Sequence, residues 1–158
     1  MLVRFIKESP DRYRLECARD DGSKTAASLE FRSYFKHDLM HLVVERAAEL
    51  HESFFGMVKA GKSLDQLSPQ AMREAPPAPS SEIQATEIIV AALQGASKNE
   101  PDYEDACQKI SEYLSLMSLS VPAYLTPDFC VRVIAEHRSL LGRWGQLRGG
   151  ESLEFFFL

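Results

Sequence analysis

A chain of 158 residues, 45% hydrophobic and 26% charged, can bury one core in one domain and is too apolar for a disordered segment. Its net charge of −5 lacks the basic surface that counterion release requires, which argues against nucleic acid as a partner. No apolar run reaches a membrane-spanning length, and the charged residues interleaved through Met1 to Lys7 argue against a signal peptide. The expectation is a cytoplasmic protein with no membrane partner. Three scattered cysteines, Cys17, Cys107 and Cys130, fit a reducing compartment, and Cys107 and Cys130 fall on apolar helical faces and read as small hydrophobes.

In chain order, Leu2 to Ile6 and Arg12 to Cys17 alternate with period two and predict half-buried strands. Asp21-Gly22 supplies a tight hairpin turn, so a return strand over about Thr25 to Phe31 completes an antiparallel meander. The period then becomes helical, and one helix is predicted from Lys36 to about Ala60, with Gly61 ending it. Pro69, Pro76, Pro77 and Pro79 make Ser68–Ser81 an extended, exposed loop within the single domain.

Helices follow over Ile83–Gln94 and Asp102–Leu119, the second with Pro101 near its first turn. A last helix starts at Thr126-Pro127-Asp128 and is stopped by Gly149-Gly150. The end of the chain, Glu151 to Leu158, carries Leu153, Phe155 and Phe157 on one face and should pair as a strand with the meander. The predicted fold is α+β: an N-terminal antiparallel meander joined by a C-terminal strand and packed on about four helices, 1–158 forming a single domain.

Chemistry concentrates in His37-Asp38-Leu39-Met40-His41. Histidines four apart on a helix project on one side about 6 Å apart, a spacing that suits two ligands of one divalent metal such as zinc. The pattern is the H-E-x-x-H zinc motif with Asp38 in place of the glutamate, so Asp38 is the candidate general base or orienting group. Glu45 continues the row and could share an ion with His41, although it lies about 12 Å of helical rise from His37. On a helical wheel His37 falls at the edge of the apolar arc, and His41 on the polar side with Glu45. His137, near the centre of the last helix's apolar stripe, is the candidate third ligand. The simpler account is that these residues satisfy one another, His41 with Glu45 and His137 within the core.

The run from His37 to Glu45, then Phe55-Gly56-Met57-Val58 and Gly61, resembles a family of small uncharacterised bacterial proteins. Its signature is H-D-L-x-H-x-V-V-E after an N-terminal meander, with a closing Trp, Gly and apolar strand that Trp144, Gly149-Gly150 and Leu153 to Phe157 resemble. The resemblance implies a shared role for His37, Asp38, His41 and Glu45 and brings no known activity.

No nucleophile elbow, phosphate loop or dinucleotide turn is present. The leading expectation is therefore a non-catalytic binding or interaction module for a protein or small-molecule partner, with homo-oligomerisation left open. The alternative is a metal-dependent hydrolase with an H-D-x-x-H site.

Overall fold

The computed structural model describes residues 1–74, 80–97 and 102–158. Strands β1 (Leu2–Ser9), β2 (Arg12–Ala18) and β3 (Lys24–Glu30) form the predicted meander. Gly22, at φ +85°, takes the left-handed position in the β2–β3 turn. The chain closes with β4 (Ser152–Phe156), which pairs antiparallel with β1 and gives the sheet order β3-β2-β1-β4. The fold is the α+β arrangement read from the sequence.

Register places apolar residues in rows across the inner face. Leu153, Phe5, Leu15 and Ala27 stand side by side, as do Phe155, Val3, Cys17 and Thr25. Bulk falls off toward the β3 edge, where small side chains leave room beside the sheet.

Six α-helices are present among the described residues, two more than predicted: α1 (Lys36–Ala47), α2 (Phe54–Lys59), α3 (Pro69–Glu74), α4 (Ser81–Ala96), α5 (Tyr103–Leu116) and α6 (Pro127–Gln146). A single π-helical turn, Phe31–Phe35, leads directly into α1. Tyr13, Phe31, Phe35 and Trp144 pack ring against ring beneath it, with Phe35 and Trp144 centroids 4.2 Å apart. This cluster ties sheet, π turn and α6 into one core.

The predicted helix over 36–60 is broken in two. Ala47 ends α1, Glu49 takes a positive φ of 53°, and α2 starts at Phe54. Side chains remote in sequence stabilise the break. The Glu45 carboxylate turns back to accept the amides of Phe55 and Gly56 at the start of α2. Glu82 Oε1 accepts the amides of His51, Glu52 and Ser53. With the backbone donors of the turn satisfied in this way, hydrophobic periodicity did not decide the path.

Ser68–Ser81 is likewise not all extended: Pro69 opens the short helix α3, and Ser80 caps α4 by accepting the amide of Ile83. The predicted Pro76, Pro77 and Pro79 features, and Pro101, lie outside the described residues. α5 ends at Leu116 rather than Leu119, followed by Ser118 at φ 58°. The run Ile88–Leu93 is helical, with Ile89, Val90 and Leu93 buried. No helix among the described residues is long and apolar enough to cross a membrane.

α1 is the central element. Seven consecutive residues, Leu39 through Glu45, are buried, so every side of the helix is covered. It packs on α4 and α6 and meets the sheet through Tyr13 and Asp38.

Candidate metal centre

Because α4 lies along α1, two polar residues of α1, His41 and Glu45, are shielded from solvent. His41 is 3% exposed and Glu45 fully buried, which corrects the placing of both on a polar face. His37, one turn earlier, is half-buried. The two imidazoles meet edge to face, with His37 Nε2 and His41 Nε2 3.2 Å apart.

Each ring is oriented from behind. His41 Nδ1 is 3.0 Å from Glu45 Oε1, and His37 Nδ1 is 3.3 Å from Gln94 Oε1. Both partners are acceptors, so in the neutral form of each ring Nδ1 carries the hydrogen and donates it, which leaves Nε2 with a lone pair. Glu87 completes the group: its Oε1 lies 3.5 Å from His41 Nε2 and its Oε2 3.8 Å from His37 Nε2. One ligand atom from each of His37, His41 and Glu87 falls within 4.8 Å of the others.

Two nitrogen lone pairs and a carboxylate facing one point repel unless a cation stands between them. A proton can serve. Burial pushes the His41 imidazole down, but hydrogen bonds to Glu45 and Glu87 more than offset it, and its pKa is raised to about 10. Burial and the neighbouring His41 charge lower that of His37. For Glu87, burial opposes the charged form, yet His41 and His37 outweigh it and hold the carboxyl below its usual range.

Asp38 does not join the ligand group. It faces β2 and accepts a short hydrogen bond from the Tyr13 hydroxyl. Burial raises its carboxyl to about 6 against the opposing effects of Tyr13 and His41.

His137 is buried as predicted, but it is not brought to the histidine pair. Its Nε2 donates to the Lys36 carbonyl at 3.1 Å, and its Nδ1 has no hydrogen-bond partner among the described residues. It therefore anchors α6 to the first turn of α1. Glu45 is not a ligand to the shared point either, because its two oxygens serve His41 on one side and α2 on the other.

The residues that sequence reading missed are Glu87 and Gln94, both on α4. They are seven apart and so share one helical face. A carboxylate between Thr86 and Ile88, at the start of the apolar run of this helix, was the available signal.

A cavity of about 770 Å³ adjoins the centre, with His37, Asp38, His41 and Glu87 in its wall. Leu29, Phe54, Met57, Leu67 and Met72 supply apolar lining, and the small Ala27 of β3 leaves space at the sheet edge. A second cavity of about 690 Å³ lies between α4 and α5 and shares Glu87, but neither histidine reaches it.

Comparison with protein-family models, with curated proteins and with solved structures finds no match to this chain. The family resemblance read from the His37–Glu45 signature and its accompanying residues therefore has no support from these comparisons.

Proposed function

We propose that this chain is a binding protein that holds one divalent metal ion, zinc by preference, through His37 Nε2, His41 Nε2 and Glu87. An open coordination position would face a ligand in the adjoining cavity. One observation carries the reading: both Nδ1 atoms face protein acceptors, so in the neutral rings both Nε2 lone pairs converge on a point that a carboxylate also reaches. Two nitrogens and one oxygen are a donor set that zinc takes where a fourth position stays open. Ligand atoms bonded at about 2.1 Å in tetrahedral array stand about 3.4 Å apart; the two Nε2 atoms are 3.2 Å apart, and Glu87 approaches them with different oxygens, Oε1 at 3.5 Å from His41 and Oε2 at 3.8 Å from His37. A cytoplasmic setting accords with three buried, unpaired thiols.

The test is calorimetric titration of metal-free protein with zinc. One site per chain is expected, and Glu87→Ala should weaken it by at least about a hundredfold. Because uptake displaces the His41 proton, affinity should rise with pH in the neutral range. His137→Ala, as a control, should leave stoichiometry unchanged. Absence of saturable uptake by the unmodified protein, or full uptake by Glu87→Ala, would overturn the reading.

A second reading, hydrolysis with Asp38 as general base, is favoured by the place of Asp38 on the same wall and by its raised carboxyl pKa. In that role Asp38 would take a proton from a water molecule, with the ion supplying Lewis acidity. Asp38→Asn is then expected to cut zinc-dependent turnover of a neutral p-nitrophenyl ester by at least about a hundredfold, with zinc uptake intact. Unchanged turnover would sink the assignment.

A further inference from the structure

We propose that the ligand received by this centre is uncharged: an elongated apolar molecule ending in a carbonyl oxygen, of the acyl amide, ester or ketone class. The inference rests on the metal reading above and adds the identity of what the open position takes.

Charge balance comes first. A divalent ion is already matched by two carboxylates: Glu87 beside it, and Glu45 behind the neutral, metal-ligating form of His41. The cavity wall adds Asp38 and Asp65, and among the described residues no lysine or arginine lines it. An anionic head group would enter a site whose cation is already neutralised and would give up its hydration with no new counter-charge. A cationic head would meet the metal itself. A carbonyl oxygen can take the open coordination position and brings no net charge.

The wall decides the rest of the molecule. Four of the six wall hydroxyls are already engaged with other side chains, Ser53 with Thr86 at 2.9 Å, Ser28 with Glu8 at 2.5 Å and Ser33 with Glu30 at 3.1 Å, and Ser68 accepts the amide of Ala71 at 3.3 Å. Few are left to recognise a sugar or polyol. Leu29, Phe54, Leu64 and Leu67 offer apolar surface instead, while Met57 and Met72 can repack around chains of different shape. A volume of about 770 Å³ accepts a drug-sized molecule. The open coordination position lies at the histidine end, so the ligand is oriented with its carbonyl there and its chain toward Met57, Leu67 and Met72.

The experiment is calorimetry on the full, zinc-loaded chain with decanamide, decanoate and decylammonium, which share a ten-carbon body and differ in charge. Decanamide should bind at least about tenfold tighter than either ion, and about tenfold tighter than it binds the zinc-free protein. Shortening it to octanamide should weaken binding roughly tenfold, the effect of two buried methylenes. Equal or tighter binding of decanoate or decylammonium overturns the ligand class, as does decanamide binding that ignores zinc. Normal zinc uptake with either of these results sinks this inference alone, whereas a chain that takes up no zinc sinks the metal reading and this inference with it.

Discussion

His41→Ala is expected to abolish stoichiometric zinc uptake and also to destabilise the fold by about 3 kcal/mol, lowering Tm by roughly 10 °C. The two losses have separate causes. His41 Nε2 is one of the converging donors, and its Nδ1 is the buried partner of Glu45. Removing the ring leaves a fully buried carboxylate with only the amides of Phe55 and Gly56 to stabilise it. His37→Ala is the matched control. That ring is half-buried and is held by Gln94 rather than by a buried charge, so its loss should cost about 1 kcal/mol or less while zinc uptake still fails. Metal content and urea denaturation of the two variants check both statements. Retention of full zinc affinity by His37→Ala would remove the pair as a binding unit.

Gly56→Ala should be the most damaging small substitution in the chain, costing at least about 3 kcal/mol. In an ordinary exposed helix the same change stabilises by about 0.5–1 kcal/mol. Here a β-carbon would stand 2.3 Å from the carbonyl carbon and oxygen of His51. That backbone cannot easily move aside, because Glu82 holds the amides of His51, Glu52 and Ser53 together. The displacement would also reach the centre, since the Gly56 amide is one of the donors that fix Glu45 behind His41. Thermal denaturation should show the loss, and zinc affinity should fall with it. A variant as stable as the parent would mean that the α1–α2 turn is far more plastic than its hydrogen bonds indicate.

The candidate centre was half legible before the fold was known. His37 and His41 could be paired from their four-residue spacing, because a helix repeats often enough to put them on one side. Their third companion could not be chosen. His137 and Glu45 were both reasonable on polarity and position, yet His137 turns to the Lys36 carbonyl and Glu45 bonds the far nitrogen of His41. Glu87 comes from a helix more than forty residues away, and nothing local in its sequence neighbourhood indicates where that helix will lie.

Strand alternation, the Asp-Gly turn and the Thr126-Pro127 cap are local physics, and each placed its element from the sequence alone. That the terminal strand would pair with the meander followed from the apolar face it had to cover, and the fold seats it beside β1. Only the tertiary structure decided where α1 ends, that its polar edge would be buried beneath α4, and that a cavity would open beside the small residues of β3. The reason is common to all three. Backbone donors and buried charges are satisfied by whichever groups the packed helices bring near, and those contacts, unlike turns and amphipathic stripes, leave no periodic trace along the chain.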